Sequence, residues 1–477
     1  MLQGIGSGLA IVLDIGKTVS KLSAWDAKGA CLAQRSRTNR GGDGKTNDTL
    51  DVDGIDAWLS DTLSELARLG DIRAIIPVGH GAAAAIVRDG KLACPVTDYE
   101  QPIPAALREA YDRSRDPFIA TGSPRLPNGL NLGTQLHHIE ATQPGALSGT
   151  AQIIPWPQFW AWKLCGVAAS EVSSLGCHTD LWNPLSSIPS ALAVQRGWAA
   201  RLAPLRGAHE VLGTLNAEWA ARTGLSREVN VICGLHDSNA ALHATRGVAD
   251  FAQGDSTVVS TGTWFVAMRT PAAGAKLDLS KMAEDRDCLI NVNVEGHPIP
   301  SARFMGGREL MLLGGVEDLA KLPVAPSTLA SVVKAGTMIL PSVVDGVGPF
   351  PRNRSRRIGN DNAPGAHQAA VALYAALMTS VSLELIGTRE RVLIEGRFAD
   401  FDLFTSALAT LRPDLEVYVG AAYEGVALGA LRLLDPTLQP ATALRRVAAL
   451  DINLHAYHAQ WRHLAEQEAS GLQQRNR

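Results

Sequence analysis

The chain has 477 residues, of which 46% are hydrophobic and 19% charged, and its formal net charge at pH 7 is -3. This length predicts two or three domains with cores of their own, and the balanced charge argues against a nucleic-acid partner. No stretch reaches the roughly 18 apolar residues that span a membrane, and the first residues lack a signal-peptide pattern. Six scattered cysteines without zinc-ligand spacing predict free thiols in a reducing compartment. We therefore expect a cytoplasmic globular protein with no membrane partner.

The first part of the chain predicts a strand meander followed by a helix and another strand. Residues 9–16 form an apolar run closed by Asp and Gly, and residues 20–29 and 31–39 read as the next two strands. Residues 53–69 have helical periodicity with Asp at the start and Gly after the end. Residues 71–81 then read as a buried strand that ends in a glycine-flanked loop.

The later part of the chain predicts a second unit of the same kind. After a Pro-, Trp- and Gly-rich middle, residues 229–244 read as strand, turn and helix. Residues 250–270 repeat the meander of the N-terminus, which is a weak internal repeat. Alternating strands and helices follow, so this half is α/β. We predict an N-terminal domain at 1–245, a C-terminal domain at 246–434 and a helical tail at 435–477.

Two strand-to-strand turns carry residues suited to phosphate. The first, Asp14-Ile15-Gly16-Lys17-Thr18, offers a carboxylate for hydrated Mg²⁺, a tight turn with backbone N–H groups, and a cation and a hydroxyl. The second, Ser260-Thr261-Gly262-Thr263-Trp264, offers hydroxyl donors around a glycine. Each alone is equally compatible with an ordinary polar turn. Their equivalent places in the two halves favour the phosphate-binding interpretation.

A carboxylate follows a strand in Gly234-Leu235-His236-Asp237-Ser238-Asn239. Asp237 at that point could take the proton of a hydroxyl that attacks a phosphate. The alternative is a helix N-cap, which spacing alone favours.

Other positions carry weaker signals. Gly396, in Glu395-Gly396-Arg397-Phe398, would let an adenine ring lie against the backbone, although a plain strand-to-helix turn explains the pattern as well. His80 could contact a sugar hydroxyl, and Asp98 and Gln135 lie in loops, where solvated polar residues are the alternative.

Taken in order, these motifs are similar to those of the FGGY carbohydrate kinases, within the larger superfamily of actin, hexokinase and Hsp70-like ATPases. DIGKT resembles the first phosphate loop, GLHDSNAA the catalytic-Asp motif, STGTW the second phosphate loop and LIEGRFADFDLFTSALATL the adenosine segment. PWPQFWAWKLCGVAASEVSSLGCHTDLWN and YEGVALGALRLL resemble the mid-domain segment and the closing helix. Six such segments in family order carry the resemblance across nearly the whole chain.

The resemblance implies an α/β fold of two RNase-H-like, actin-like ATPase domains that flank a catalytic cleft, with ATP and Mg²⁺ as the nucleotide and metal. It implies that Asp237 is the general base and that Asp14 and Asp237 organise Mg²⁺. The implied nucleotide and phosphate contacts are Gly16, Lys17, Thr18, Ser260, Thr261, Gly262, Thr263, Gly396 and Arg397. The implied sugar contacts are His80, Asp98, Gln135, His236 and Trp264. A small-molecule sugar is the expected partner, and a homodimer is the family-level expectation.

Within the family, His236 before the Asp, the STGTWFVAM loop and the segment NVNVEGHPIPSARFMGGREL resemble rhamnulokinases and fuculokinases. That resemblance implies a ketose such as L-rhamnulose or L-fuculose, with xylulose, ribulose and glycerol as alternative acceptors. Three positions depart from the family pattern: Lys17 in the first loop, Arg397 in place of a second Gly, and Ala399 in place of Ser. Arg397 keeps open a second hypothesis, a catalytically silent sugar or nucleotide sensor on the same fold. A chaperone-like or filament-forming ATPase is disfavoured by the G-x-H-D turn.

Overall fold

The structure is a computed structural model that describes residues 6–39, 49–277, 282–314, 324–359, 363–420, 425–440 and 444–475. Its contacts divide the chain into two compact units. Unit 1 comprises residues 1–249, 290–298 and 424–440, and unit 2 comprises residues 250–289, 299–423 and 441–477.

Unit 1 contains most of the short elements of the chain. Its strands are β1 (Leu9–Ile15), β2 (Val19–Trp25), β3 (Cys31–Thr38), β4 (Ile72–Gly79), β5 (Ala84–Arg88), β6 (Lys91–Leu92), β7 (Gln152–Pro155), β8 (Trp182–Asn183), β9 (Ile188–Pro189), β10 (Val211–Thr214), β11 (Asn230–Ile232) and β12 (Leu235–His236). Its first nine helices are α1 (Val52–Leu66), α2 (Ala105–Asp112), α3 (Phe118–Thr121), α4 (Leu132–Thr142), α5 (Trp156–Cys165), α6 (Val172–Leu175), α7 (Ala191–Gln195), α8 (Ala217–Thr223) and α9 (Asp237–Thr245).

The elements from residue 256 onward belong mainly to unit 2. The strands are β13 (Ser256–Thr261), β14 (Phe265–Thr270), β15 (Cys288–Val292), β16 (Pro298–Phe304), β17 (Met338–Leu340), β18 (Arg356–Ile358), β19 (Arg391–Gly396), β20 (Glu416–Val419) and β21 (Arg445–Arg446). The helices are α10 (Gly306–Gly314), α11 (Pro326–Ala335), α12 (Ala366–Leu385), α13 (Asp402–Leu411), α14 (Gly425–Leu431) and α15 (His455–Arg475).

The main sheets of the two units share one strand pattern. In unit 1 the order is β10-β11-β4-β1-β2-β3, with β12 also paired to β4; β1, β2 and β3 are antiparallel neighbours, and β4 runs parallel to β1. In unit 2 the order is β15-β16-β14-β13-β19-β20-β21, with β13, β14 and β16 antiparallel and β19 parallel to β13. The predicted meander repeat is therefore present, and the predicted α/β class of two RNase-H-like domains is confirmed.

The sheet of unit 1 is covered on both faces, and its central strand β1 is apolar on both faces apart from Asp14. Ile11, Leu13 and Ile15 of β1 join one core cluster with the buried face of α1, while Ala10 and Val12 join the cluster on the opposite face. This alternation follows from the two-residue side-chain period of a strand. The polar residue of β1, Asp14, lies near its carboxyl end and is only partly exposed.

The division of the chain differs from the predicted domains at one helix. The prediction assigned residues 246–434 to the second domain, whereas α14 packs on α9 within unit 1. A Cβ added to Gly429 would lie 1.8 Å from the carbonyl oxygen of Ala240, so the two helices approach more closely than any side chain allows. Local pattern does not reveal a packing partner almost 190 residues away. The functional division into domains stays a prediction.

The C-terminal helix α15 packs on unit 2. Trp461 is fully buried, and its Nε1 donates to the carbonyl oxygen of Ile339 at 2.7 Å. Tyr457 Oη donates to the carbonyl oxygen of Thr337 at 2.9 Å. The predicted tail thus includes a helix that completes the core of unit 2.

Replacing Trp461 with alanine is expected to destabilise unit 2 by about 3–5 kcal/mol, because it leaves a large cavity and an unpaired carbonyl oxygen. Urea unfolding monitored by circular dichroism measures the change. His463→Ala, at an exposed position of the same helix, is the matched control and should stay within about 0.5 kcal/mol. Equal stability of the two variants would contradict the role of α15 in the core.

One helix, α12, is long and apolar enough to cross a membrane by length and composition alone, but 89% of that segment is buried inside the protein. It is the central helix of unit 2. All six cysteines lie within the described residues, and each is a thiol outside any disulfide, as predicted.

Candidate active site

Three parallel strands of unit 1 end at one edge of the sheet and deliver polar residues there. Asp14 near the end of β1 and Leu235 of β12 both pair with Val78 of β4. His80 follows β4, and Asp237 follows β12. Since the carboxyl ends of parallel strands meet at one edge, Asp14, His80 and Asp237 are neighbours. The predicted base, metal and sugar residues of this unit thus share one location.

Asp14 and Asp237 repel each other electrostatically. Burial and the negative charge of Asp237, against the opposing charge of Lys21, together raise the pKa of Asp14 from 3.8 to about 7. Two carboxylates in this relation form a site where a cation would be stabilised. No cluster of three or more His, Cys, Asp or Glu side chains that could hold a metal occurs within the described residues.

Asp237 is the first residue of α9 and does not cap it. His236 occupies the N-cap position, and its side chain makes no capping hydrogen bond. Asp237 Oδ1 accepts from the backbone N–H of Ser238 at 2.5 Å and from its hydroxyl at 3.1 Å. Among the described residues, none donates to Oδ2. The N-cap interpretation is therefore not what the geometry shows, and one carboxylate oxygen of a partly exposed side chain is left for a ligand.

His236 is buried with both ring nitrogens engaged. Its Nδ1 lies 3.1 Å from the amide nitrogen of Asn239, which donates. Nε2 therefore carries the proton, and it lies 3.2 Å from Asp237 Oδ1 and 3.3 Å from Cys177 Sγ. Burial lowers the pKa of His236, against the opposing charge of Asp237, so the ring is neutral at pH 7. His236 thus orients Asp237, whereas the sequence predicted a sugar contact.

The neutral ring of His80 presents an unused acceptor. Its Nδ1 lies 2.9 Å from the carbonyl oxygen of Gly81 and must donate to it. Its Nε2 is buried and has no partner among the described residues. Burial lowers the pKa of His80, which keeps Nε2 unprotonated at pH 7. The rings of Tyr99 and Trp156 fix its orientation, at centroid distances of 5.3 and 5.9 Å.

The first loop is joined to Asp98 by an ion pair. Lys17 Nζ contacts the Asp98 carboxylate and lies 3.5 Å from Glu100 Oε2. The ammonium also lies 5.2 Å from the centroid of the Tyr99 ring. Lys17, His80 and Asp98 line a cavity of about 30 Å³, which has room for one water molecule.

The turn between β1 and β2, which contains Gly16 and Thr18, is polar and partly exposed. The carbonyl oxygen of Gly16 accepts from Asn39 Nδ2 at 2.8 Å, and Thr18 is exposed.

The side chain of Gln135 forms hydrogen bonds with the protein backbone. Its Nε2 donates to the carbonyl oxygens of Ala82 and Gly129, both at 2.6 Å, and the side chain is 1% exposed. It therefore fixes the loop after His80. Loop composition alone could not distinguish this role from the predicted sugar contact.

In unit 2, the second loop and the Gly396 turn lie side by side. Thr261, the last residue of β13, pairs with Gly396, the last residue of β19. Thr261 Oγ1 donates to the carbonyl oxygen of Glu395 at 2.6 Å and accepts from the N–H of Phe398 at 3.0 Å. Gly396 has a φ of +88°, and a Cβ there would lie 2.7 Å from the carbonyl oxygen of Thr261. Only glycine fits this junction, and the Thr261 hydroxyl holds it together.

The remaining loop groups are open to solvent. Ser260, Gly262 and Thr263 are exposed. Glu395 is partly exposed beside Ser260, which donates to it, and desolvation of its carboxyl group raises its pKa to about 7. The sequence analysis named Glu395 only as part of a motif. Its position beside Ser260 follows from the pairing of β13 with β19, which the sequence does not show. The exposed hydroxyl of Thr263, at the tip of this glycine turn, suits a phosphate oxygen.

Two aromatic side chains flank these turns. The guanidinium of Arg303 lies 4.9 Å from the centroid of the Trp264 ring, and Trp264 is partly exposed. Arg397 is exposed and lies 5.6 Å from the centroid of the buried Phe398 ring, while Ala399 is buried. The backbone N–H of Arg397 donates to the carbonyl oxygen of Thr261 at 2.8 Å.

A buried carboxyl group supports the Asp237 turn, and the sequence did not single it out. Ser173 Oγ accepts from the N–H of His236 at 3.2 Å and donates to Glu171 Oε2 at 2.6 Å. Glu171 is fully buried, and that burial raises its pKa to about 7. The Ser-rich stretch of the mid-domain segment was its only sequence signal.

The chain is similar to known carbohydrate kinases along nearly its whole length. Residues 253–442 match the model of the family described as "Carbohydrate kinase FGGY, C-terminal domain". A carbohydrate kinase from Novosphingobium aromaticivorans is 46% identical, with 97% of this chain and 99% of that chain covered and a TM-score of 0.91. A xylulose kinase from Rhodospirillum rubrum is 17% identical, with 97% and 98% covered and a TM-score of 0.72. A glycerol kinase from Plasmodium falciparum, solved with ADP, is 13% identical, with 96% and 98% covered and a TM-score of 0.74. No curated protein sequence matches the chain.

Proposed function

Because the chain belongs to the FGGY carbohydrate kinases, we propose that it transfers the γ-phosphate of ATP to a hydroxyl of a sugar, with Asp237 as the general base. The observation that carries this assignment is the Asp237 carboxylate at the end of β12, with Oδ2 unengaged by the described residues and Asp14 beside it. Enzymes of this kind need a base within reach of the attacking hydroxyl.

In the proposed chemical step, the protein itself forms no covalent bond with the transferred phosphoryl group. The sugar hydroxyl oxygen forms a bond to the γ-phosphorus, the bond from that phosphorus to the bridging oxygen breaks, and ADP leaves. Asp237 takes the hydroxyl proton as the new bond forms. The Nε2–H of His236, 3.2 Å from Oδ1, orients the carboxylate so that Oδ2 is available. Catalysis then rests on positioning and on charge stabilisation.

Mg²⁺ fits the carboxylate pair of unit 1. Asp14 and Asp237 raise one another's energy when both are ionised, which a divalent cation would relieve. Mg²⁺ usually takes one or two carboxylates and completes its shell with water and substrate phosphates, so a larger protein cluster is not required. When bound, the ion would neutralise part of the negative charge on the ATP phosphates.

We assign the nucleotide to unit 2. The exposed hydroxyl and backbone groups of Ser260, Gly262 and Thr263 are suited to phosphate oxygens. Gly396 exposes backbone at the adjoining strand end, and Arg397 supplies a planar cation that could stack on a base. The Thr261 hydroxyl supports this turn through Glu395 and Phe398. Gly16, Lys17 and Thr18 of the first loop remain the proposed phosphate contacts of unit 1.

We assign the sugar to unit 1, and a ketose is the acceptor to test first. His80 Nε2 can accept a hydroxyl hydrogen, and Asp98 lies beside it. L-Rhamnulose and L-fuculose follow from the sequence resemblance, with Trp264 as a proposed contact. Relatives of the same fold are named for xylulose, gluconate and glycerol, which therefore join the panel. A cytoplasmic location and a homodimer stay predictions.

The deciding experiment is a coupled ADP-release assay with ATP and Mg²⁺ against ketoses, aldoses, polyols and sugar acids. ADP release that depends on one sugar supports the proposal and names the substrate class. Sugar or ATP binding without turnover on any member of the panel would favour the sensor hypothesis and make Arg397→Gly the next variant.

Replacing His80 with phenylalanine is expected to raise the KM for the best sugar roughly 5- to 100-fold, with a smaller change in kcat. The variant keeps an aromatic ring between Tyr99 and Trp156 but removes the acceptor, and a lost buried hydrogen bond is worth about 1–3 kcal/mol. Initial rates over a range of sugar concentrations give both constants. His209→Phe, at an exposed position of the same unit, is the control. An unchanged KM in the His80 variant would remove His80 from the sugar site.

A further inference from the structure

Unit 2 contains a cavity of about 560 Å³ that is lined mainly by cations. We call it the arginine cavity, and its charged walls are Arg269, Lys276, Arg286, Arg389, Arg412 and Arg462, with Glu384 as the one carboxylate among them. It lies beside the segment that joins the end of α12 to the start of β19. Its volume is in the range of small-molecule sites.

The arginine cavity is separate from the candidate nucleotide site. Arg269 on β14 pairs with Thr257, at the amino end of β13, whereas the phosphate loop follows Thr261 at the carboxyl end of that strand. Four residues of strand separate the two by about 13 Å. The chemistry assigned to the loop therefore does not account for these cations.

Three of the six cations are paired with carboxylates of the protein itself, namely Arg269, Arg462 and Arg412. Arg269 makes a buried pair with Asp255, with Nε 3.0 Å from both carboxylate oxygens and Nη2 2.6 Å from one of them. Arg462 Nη1 lies 2.5 Å from Glu384, and its Nε lies 3.0 Å from Glu466. These pairs build the wall of the cavity.

Three other cations have no carboxylate partner within 4 Å in the part of the chain that the structure describes. They are Lys276, Arg286 and Arg389. Arg286 is held in place without being neutralised, since its Nε donates to the carbonyl oxygen of Pro349 at 2.8 Å and its guanidinium lies 5.4 Å from the centroid of the Phe350 ring. Lys276 and Arg389 are exposed at the mouth.

Arg412 supplies an unsatisfied donor inside the cavity. The residue is 8% exposed, and Nε and Nη2 donate to the Asp414 carboxylate at 2.9 and 2.7 Å. Nη1 is buried and has no hydrogen-bond partner among the residues that the structure describes. A buried guanidinium N–H without an acceptor is unfavourable, and it leaves Arg412 in the wall of the cavity with a donor that its pair with Asp414 does not satisfy.

We propose that the arginine cavity binds a small phosphorylated metabolite that carries at least two phosphate groups. Several cations around one volume suit a multiply charged ligand, and the planar guanidinium groups match the geometry of phosphate oxygens. The site is independent of the kinase reaction, because none of its residues belongs to the machinery assigned above.

Inorganic pyrophosphate is the probe, titrated calorimetrically into the full-length protein in 150 mM salt with a chelator to remove Mg²⁺. The test variant is Lys276→Gln combined with Arg286→Gln, and Arg352→Gln is the control, an exposed arginine of the same unit that pairs with Asp285 outside the cavity. A separate Thr263→Val variant reports on binding at the phosphate loop.

We expect the Kd for pyrophosphate to rise at least 10-fold in the double variant and to stay within 2-fold in the Arg352 and Thr263 variants. Arg412→Gln should weaken binding as well; if that buried substitution prevents folding, the double variant decides. Wild-type protein that fails to bind millimolar pyrophosphate would overturn the proposal, and so would binding that only Thr263→Val removes.

Discussion

Replacing Asp237 with asparagine is expected to lower kcat for the best sugar by about 10²- to 10⁴-fold, with little change in the KM for ATP. Asparagine keeps the shape of the side chain, and its amide oxygen can still accept from Ser238. It cannot take the proton of the attacking hydroxyl. The loss therefore falls on the chemical step, and ADP release at saturating sugar measures it.

Asp61→Asn is the matched control for this variant. Asp61 is an exposed carboxylate on α1 of the same unit, so its replacement should leave kcat within a factor of two. Near-full activity of the Asp237 variant would show that another group, or no group, acts as the base. A fall in activity that is shared by both variants would point to a general effect of charge.

Replacing Asp14 with asparagine is expected to have opposite effects on activity and on stability. Activity should fall, and the Mg²⁺ concentration for half-maximal rate should rise at least 10-fold, because one of two metal-binding carboxylates is lost. Without metal, the same change should stabilise the chain by about 1–3 kcal/mol at pH 8, because it removes a buried charge facing Asp237.

The pH dependence of the unfolding free energy shows whether the charge of Asp14 stabilises or destabilises the folded chain. The pKa of Asp14 is raised from 3.8 to about 7 in the folded chain, so between these values the folded state binds more protons than the unfolded state. Its contribution to stability is therefore present below about pH 4 and is lost as the pH rises to about 7. Urea unfolding at pH 5 and pH 8 in a chelator should show a wild-type decrease that is smaller in Asp14→Asn.

Asp237→Asn provides the internal check, because it removes the other half of the repulsion. In a double-mutant cycle the two substitutions should stabilise less together than the sum of their separate effects. Additive effects would show that Asp14 and Asp237 do not interact. Wild-type stability that is flat from pH 5 to pH 8 would contradict the raised pKa.

The sequence predicted where the candidate residues lie better than what each one does. Apolar runs that end in a polar residue mark strand ends, and parallel pairing then brings Asp14, His80 and Asp237 to one edge without further information. The same argument brought the second loop beside Gly396. Both depend on local pattern and a repeated topology.

Roles depend on hydrogen-bond partners that are distant in the sequence. Gln135 donates to Ala82, 53 residues away, and the Thr261 hydroxyl donates to Glu395, 134 residues away. Neither partner could be predicted from composition or spacing. For His236 the neighbouring Asn239 sets the tautomer, and only the structure shows that this proton points to Asp237.

The close packing of α14 on α9 determines when unit 1 can finish folding. The carbonyl oxygen of Ala240 lies against Gly429, so a chain that emerges from the ribosome in order has made α9 long before its partner helix α14 exists. Contacts of such long sequence separation form late and slowly. Synthesis must therefore pass residue 431, and with it most of unit 2, before the apolar face of α9 is covered. A fragment that stops after residue 249 would leave that face exposed and prone to aggregation.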